Sequence, residues 1–403
     1  MSLPQSQPTP AAPPGPPRKS RGRVAGEGLA VLAITLLLVG GLLEGALRLF
    51  APQIAAPITG LFVADPATAY RLQPGAQVVY RFAEGSPTFA VNAQGLREDH
   101  PIGPPATGTT RLLCLGDSFV FGMGVQADQA LPHLLNGSTA ADGSSVESLN
   151  AGVFGYGTDN EAAWLRTYGW PLQPKIVLVG FFVGNDVKDV MLGMGKTTVD
   201  AQGRLVATST SQQALNSPGD PGDPGTAPAS GGLKGWLEQN SHAYIFLRNL
   251  AYNILGRTTK VQKPTIFDAA SFFLKSPSPA IDAGWDKTTG ILDSMRADAQ
   301  AHGAEFVVVV IPAREQVQDT YWAEMKQQFG LRDDQLQRDL PQQRLAAWSA
   351  RTGTPLIDLF PGFQAAGKTQ LLYFRTDRHW NAAGHALAAQ LVHAGLVQRG
   401  WLK

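Results

Sequence analysis

The fold class is indicated most directly by the stretch Leu112-Leu113-Cys114-Leu115-Gly116-Asp117-Ser118-Phe119. Its first four residues form an unbroken apolar run, which is typical of a strand buried on both faces of a sheet. The run ends in Gly-Asp-Ser, which favours a turn. Because an open α/β sheet binds ligands outside the carboxyl ends of its strands, the stretch predicts that Ser118 lies at a functional edge.

Strand and helix patterns alternate along the rest of the chain. The other buried strands are predicted at Val146–Asn150, Lys175–Phe182, Glu305–Ile311 and Pro355–Leu359. Helical patterns separate them, the longest at Ile281–His302 and the last at Ala382–Leu396. The alternation predicts an α/β fold with a parallel sheet covered by helices on both faces.

The composition excludes several classes of protein. The chain has 403 residues, with 33 basic and 32 acidic side chains, so no global positive field suggests nucleic-acid binding. Its single cysteine, Cys114, allows neither an internal disulfide nor a cysteine-based metal site. We expect the Cys114 thiol to be buried, and we expect the protein to need no cofactor and no metal.

The N-terminal region predicts a membrane anchor. A Pro-rich start is followed by four basic residues and then by an uncharged apolar run, Leu29–Leu43. Basic residues on this flank predict a cytoplasmic N-terminus, with the remainder periplasmic or extracellular. A cleaved signal peptide is the alternative, favoured by the small residues of Ala51–Ala56 and disfavoured by Arg48-Leu49-Phe50. A buried soluble helix fits the basic, Pro-rich flank poorly.

A second chemical motif, Thr376-Asp377-Arg378-His379-Trp380-Asn381, lies near the C-terminus. A serine hydroxyl is nearly inert at neutral pH, so the candidate nucleophile Ser118 needs a positioned base, for which His379 is the best candidate. Asp377 is two residues away and would orient the imidazole. Asp117 is also a candidate helix N-cap, and the other histidines are expected at the surface or in caps.

Two further motifs follow predicted strands and supply candidate oxyanion donors. One is Asn150–Thr158, whose three glycines allow tight turns and an exposed backbone N–H; the other is Gly184-Asn185-Asp186. A glycine N–H and an Asn amide are suitable donors for an oxyanion hole. Taken singly, each motif is equally compatible with ordinary turn chemistry.

These four motifs, in this order, resemble the SGNH (GDSL-type) hydrolase superfamily. The resemblance implies a flavodoxin-like three-layer α/β/α sandwich. It also implies a site of Ser118, His379 and Asp377, with Gly155 and Asn185 in the oxyanion hole; Gly152 is the alternative glycine. The predicted organisation begins with a disordered cytoplasmic tail (1–24) and a transmembrane anchor (25–50). A linker and small β cover (51–107) follow, and then the SGNH-type hydrolase domain (108–398), which contains a disordered loop at about 209–235.

The Asp-x-His-Trp spacing departs from the Asp-x-x-His of many members. It is similar to the membrane-tethered branch that includes alginate O-acetyltransferase-like proteins, which favours acyl transfer involving a polysaccharide. Arg314 is either a residue at the lip of the site or an ordinary charge at a helix start.

Three functions therefore remain open from the sequence. The first is a membrane-anchored serine esterase that cleaves a carboxylic ester, with a short acyl group, through an acyl-serine intermediate. The second is an O-acyltransferase acting on a cell-envelope or exopolysaccharide glycan, and the third is a non-catalytic glycan-binding protein of the envelope. The expected partners are an acyl-ester small molecule or an acylated glycan, and the membrane.

Overall fold

The computed structural model describes residues 21–50, 58–208, 233, 236–237, 240–255 and 264–403. The chain divides into two compact units, Met1–Ala51 and Pro52–Lys403. Most of the loop predicted at about 209–235, and residues 1–20 of the predicted tail, lie outside the described residues. Residues 21–24 of that tail belong to the first helix.

The helices that the structure describes are α1 Arg21–Phe50, α2 Ser118–Phe121, α3 Leu131–Leu134, α4 Thr158–Trp164, α5 Asp186–Leu192, α6 His242–Leu255, α7 Pro279–Ala301, α8 Arg314–Val317, α9 Asp319–Phe329, α10 Leu340–Thr352, α11 Phe360–Ala366 and α12 Ala382–Gln398. In the first unit, the 24-residue segment Glu27–Phe50 of α1 is long and apolar enough to cross a membrane. A signal sequence near the N-terminus can have the same length and composition. The Arg48 side chain donates to Glu44 at 2.7 Å, one helical turn away.

The strands are β1 Phe62–Asp65, β2 Ala69–Leu72, β3 Gln77–Val79, β4 Thr88–Ala90, β5 Thr109–Gly116, β6 Ser145–Gly152, β7 Ile176–Phe182, β8 Thr197–Val199, β9 Leu205–Ala207, β10 Glu305–Ile311 and β11 Leu356–Asp358. Five of them form the central sheet in the order β11-β10-β7-β5-β6, and every pairing in it is parallel. By position in the chain this is the order 2-1-3-4-5 of flavodoxin-like folds. The α/β fold predicted from the sequence is confirmed.

Burial of the central strands explains the apolar runs seen in the sequence. Every residue of β7 is buried, and in β10 only the first residue, Glu305, is exposed. Helices cover the sheet. The longest of them, α7, buries Ile281, Trp285 and Leu292 and packs against α4 and α5. Since the faces of the sheet are covered in this way, a ligand can reach the sheet only at the ends of its strands.

The stretch 51–107, predicted as a linker and small β cover, contains short paired strands. β1 and β2 form an antiparallel pair within this stretch, with Phe62, Tyr70 and Leu72 buried. Each strand has only four residues, too few for alternation to stand out from the sequence. After α2, a 3-10 turn at Ala127–Gln129 is followed by α3, which begins one residue before Pro132 because proline is tolerated only in the first turn of a helix.

Candidate active site

The nucleophile candidate Ser118 lies where β5 turns into α2. Gly116 ends the strand, and Asp117 caps the helix by accepting a hydrogen bond from the Phe119 N–H at 2.8 Å. Ser118 is then the first helical residue, and only 3% of it is exposed. The expected capping role of Asp117 is thus present, and the turn places Ser118 at the carboxyl end of a central strand.

Ser118, His379 and Asp377 form one chain of hydrogen bonds. The His379 Nε2 lies 2.7 Å from the Ser118 Oγ, across 261 residues of sequence. The His379 Nδ1 lies 2.5 Å from the Asp377 Oδ1, which also accepts the His379 backbone N–H at 2.8 Å. Asn381 accepts from the Gly384 N–H at 3.0 Å and caps α12, which fixes the end of this loop. The geometry is that of a nucleophile, a base and an orienting carboxylate.

The environment of Asp377 keeps this carboxyl ionised. Burial would raise its pKa, but the charge on His379 and the hydrogen bonds from the His379 side chain and backbone outweigh burial. The pKa of Asp377 is therefore lowered from its ordinary value. Aromatic side chains surround the imidazole: the Phe119 ring lies 5.0 Å and the Phe154 ring 6.4 Å from that of His379. An ionised carboxylate in such apolar surroundings favours an imidazolium at His379 during a reaction.

Two candidate oxyanion glycines in the Asn150–Thr158 motif, Gly155 and Gly152, differ in whether the backbone N–H is available. The φ of Gly155, +76°, places it in a tight turn, closed by a hydrogen bond from the Tyr156 N–H to the Val153 carbonyl at 3.1 Å. Among the described residues, the Gly155 N–H has no acceptor. The Gly152 N–H, in contrast, donates to the Asn150 Oδ1 at 3.0 Å. Gly155 is therefore the better candidate.

Asn185, the second oxyanion candidate, is half-buried at the start of α5. Its Oδ1 is enclosed and has no hydrogen-bond partner in the part of the chain that the structure describes. Its amide nitrogen carries two N–H donors, and the side chain interacts with Asp117. One such interaction leaves a second N–H for an oxyanion at the same strand ends.

Three buried carboxyls, those of Asp117, Glu161 and Asp186, interact with one another next to the Gly-Asp-Ser turn, and the sequence analysis did not predict that they cluster. Burial raises the pKa of Asp117 to about 6, against the Phe119 N–H, the charge on His379 and the Asn185 side chain. Burial and the neighbouring carboxyls raise the pKa of Glu161 and that of Asp186 well above their ordinary values. Asp117 and Asp186 stood in recognised motifs, but Glu161 looks like any polar helix residue.

Two residues in the N-terminal part of the second unit, Arg97 and Glu98, support the segments around Ser118. Arg97 is buried and donates from its guanidinium to the carbonyls of Phe121 and Val125, the latter at 2.6 Å. Its neighbour Glu98 accepts the Asn150 backbone N–H at 2.8 Å. The first contact supports the end of α2, and the second supports β6, which leads into the Gly155 turn. Sequence reasoning missed both roles.

Arg314 combines the two roles that the sequence left open. It is the first residue of α8, and its Nη1 donates to the Asp377 carbonyl at 3.3 Å. Its guanidinium lies 3.7 Å from the centre of the Tyr321 ring. Arg314 therefore supports the backbone of the loop that carries His379.

No group of three or more His, Cys, Asp or Glu side chains among the described residues is arranged to bind a metal ion.

His385, expected at the surface or in a cap, is instead buried, and its Nδ1 accepts the Leu131 N–H at 3.2 Å. Burial lowers the pKa of His385 to about 3, so it is neutral and structural.

Comparison with protein families supports the resemblance drawn from the motifs. Residues 272–402 match the family described as SGNH hydrolase-like domain, acetyltransferase AlgX. The matched range contains Asp377 and His379. It begins after Ser118, which therefore lies outside it. The similarity to SGNH hydrolases with AlgX-like features is confirmed over this range. No curated protein matched the sequence.

Several solved structures share low similarity with the chain. TesA is 16% identical, covering 71% of this chain and 98% of its own, with a TM-score of 0.36. A catalytic mutant of Axe2, an acetylxylan esterase from Geobacillus stearothermophilus, is 9% identical, covering 73% and 96%, with a TM-score of 0.35. A GDSL-like lipase from Bacteroides thetaiotaomicron is 11% identical, covering 74% and 92%, with a TM-score of 0.35.

Proposed function

We propose that this protein is a serine esterase that cleaves a carboxylic ester through an acyl intermediate on Ser118. The observation that carries the proposal is the chain of hydrogen bonds from Ser118 through His379 to Asp377, at 2.7 and 2.5 Å. A serine that shares a hydrogen bond with an imidazole, which in turn faces an ionised carboxylate, is an activated nucleophile.

In the first half of the proposed reaction, the Ser118 Oγ attacks the ester carbonyl carbon and its proton passes to the His379 Nε2. The tetrahedral intermediate collapses, the alkoxide leaves, and the imidazolium returns the proton to it, which releases the alcohol. In the second half, water attacks the acyl-serine, His379 takes the water's proton, and the Ser118 oxygen recovers it as the acid departs.

The negative oxygen of each tetrahedral intermediate needs donors. We assign this role to the backbone N–H groups of Ser118 and Gly155 and to the Asn185 amide. The Ser118 N–H lies at the start of α2, where a helix provides no internal acceptor. The Gly155 N–H, which has no acceptor among the described residues, and the second Asn185 N–H follow the strands on either side of β5, so we assign them as preorganised donors.

We propose a short acyl group as the substrate. Ser118 is 3% exposed and His379 is 4% exposed, and aromatic rings pack around the imidazole. The reacting atoms must approach to about 3–3.5 Å, so a small acyl group enters this enclosed site more readily than a long chain does.

An O-acyltransferase is the second candidate, and the family match over residues 272–402 favours it because that family is described as an acetyltransferase. The same residues would serve, with a sugar hydroxyl of a cell-envelope glycan in place of water. In either case we propose that α1 anchors the protein with its N-terminus in the cytoplasm and the α/β unit outside, next to envelope glycans.

Stopped-flow cleavage of p-nitrophenyl acetate by the full chain in detergent, beside Ser118→Ala, tests the proposal. Steady turnover that disappears in Ser118→Ala supports the esterase. A stoichiometric burst that stalls, and resumes when an acceptor glycan is added, supports the transferase instead. If wild type and Ser118→Ala are indistinguishable on acetyl esters and acetylated glycans, both catalytic proposals are wrong and a glycan-binding role remains.

A further inference from the structure

A single exposed carboxylate, that of Glu84, connects the β3–β4 hairpin to the loop that carries the candidate base. Glu84 lies in the two-residue turn of this hairpin, between Phe82 and Gly85, which pair with each other. One of its oxygens accepts the Arg375 backbone N–H at 3.1 Å. The other accepts both the backbone N–H and the hydroxyl of Thr376, each at 2.7 Å. Three donors from two consecutive residues converge on one side chain 291 positions earlier in the chain.

A second contact joins the same two segments. The Phe82 ring packs edge-on against the Phe374 ring, with centroids 5.1 Å apart. The Phe374 backbone N–H in turn donates to the His379 carbonyl at 2.9 Å. The hairpin therefore touches the loop at Phe374, Arg375 and Thr376, directly before Asp377. In contrast, the C-terminal end of the loop is held by Asn381, within its own helix cap.

We propose that Glu84 is a positioning residue, which holds the loop of residues 375–379 so that His379 stays within hydrogen-bond distance of Ser118. This inference rests on the proposed acyl-serine chemistry. Hydrogen bonds to a carboxylate are roughly twice as strong as those between neutral groups. Here they restrain the backbone at the N-terminal end of the loop, at Arg375 and Thr376. A displacement of about 1 Å in a catalytic group can cost about a hundredfold in rate.

Three substitutions separate positioning from general stability. Glu84→Ala removes both acceptors, and we expect kcat to fall about ten- to a hundredfold while KM changes less than about twofold. Glu84→Gln retains one acceptor oxygen of two, so its kcat should lie between those of wild type and Glu84→Ala. Asp128→Asn is the matched control, because Asp128 is an exposed carboxylate on the adjacent 3-10 turn, and no contact joins it to residues 375–379 among the described residues.

Hydrogen exchange gives a readout that does not depend on activity. In the full chain in detergent, Glu84→Ala should speed exchange of the Arg375 and Thr376 amides at least about tenfold, while amides of β7 and β10 keep their protection. Asp128→Asn should leave the exchange of residues 375 and 376 unchanged.

The outcomes distinguish this inference from the proposed function. Faster exchange at residues 375 and 376 together with the selective loss of kcat supports the positioning role. Unchanged exchange, or faster exchange with full turnover, overturns it and leaves the esterase standing. If wild type has no Ser118-dependent turnover, the proposed function fails, and the positioning role falls with it even where exchange shows that Glu84 restrains the loop. Loss of protection throughout the sheet in Glu84→Ala but not in Glu84→Gln, with full kcat in Glu84→Gln, also overturns it.

Discussion

Replacing Glu98 by Gln should make the free energy of unfolding less sensitive to a rise in pH from about 4 to about 8. Glu98 is buried, and its Oε1 accepts the Asn150 backbone N–H, a bond that the Gln amide oxygen can also make. Burial raises the pKa of Glu98 from 4.5 to about 7, against that hydrogen bond and the charge on His100. A carboxyl with a raised folded-state pKa contributes stability that is fully present below its unfolded pKa and lost as pH rises through its folded pKa.

The magnitude follows from this shift. Two and a half pKa units correspond to about 3 kcal/mol at 1.36 kcal/mol per unit, lost between about pH 4 and pH 8. Glu98→Gln has no proton to lose, so its free energy of unfolding relative to wild type should rise by about 3 kcal/mol over this range. For a unit of this size, the change corresponds to a difference in Tm of about 4 °C.

Denaturant unfolding of both full-length chains in the same detergent, at several pH values from 4 to 8, measures this difference directly. Titrations common to both proteins, such as that of buried His385, cancel in the comparison. Glu324→Gln makes the same chemical change at an exposed position and is the control. If the difference in the free energy of unfolding between Glu98→Gln and wild type stays constant from about pH 4 to about pH 8, ionisation of Glu98 does not destabilise the fold and the prediction is wrong.

Two further predictions concern the site and the sheet. Asn185→Ala removes one oxyanion donor, so kcat on p-nitrophenyl acetate should fall about a hundred- to a thousandfold, and a loss below about tenfold would exclude Asn185 from the oxyanion hole. Burial raises the pKa of the Cys114 thiol to about 12, so a disulfide reagent should label no thiol in the native chain at pH 8 and one in denaturant. Rapid labelling of the native protein would contradict the buried position.

The sequence was informative where the relevant contacts are local. Continuous apolar runs predicted β5, β7 and β10 closely, because burial on both faces removes polar residues from a strand. The Asp-x-His motif brings Asp377 and His379 together within one turn, so its geometry follows from its spacing. Ser118 could be assigned to the edge of the sheet where ligands bind, because it directly follows a predicted parallel strand.

The supporting residues could not be predicted, because their partners are distant in the chain. Glu84, Arg97 and Glu98 are charged residues in short, irregular segments, where charge ordinarily indicates solvent exposure. Their partners lie 291, 24 and 52 positions away. No local periodicity encodes such pairs, so only the fold shows that these charges support the loops around Ser118.

The charges around His379 suggest why two aspartates accompany the pair of Ser118 and His379. The pKa of Asp377 is lowered, so its negative charge is present whenever the imidazolium forms. Asp117 differs, because burial raises its pKa to about 6 while the charge on His379 lowers it. By reciprocity, protonation of His379 and ionisation of Asp117 favour each other. A residue that the sequence marked only as a helix cap thus couples electrostatically to the candidate base, in addition to the Asp377 carboxylate that hydrogen-bonds it.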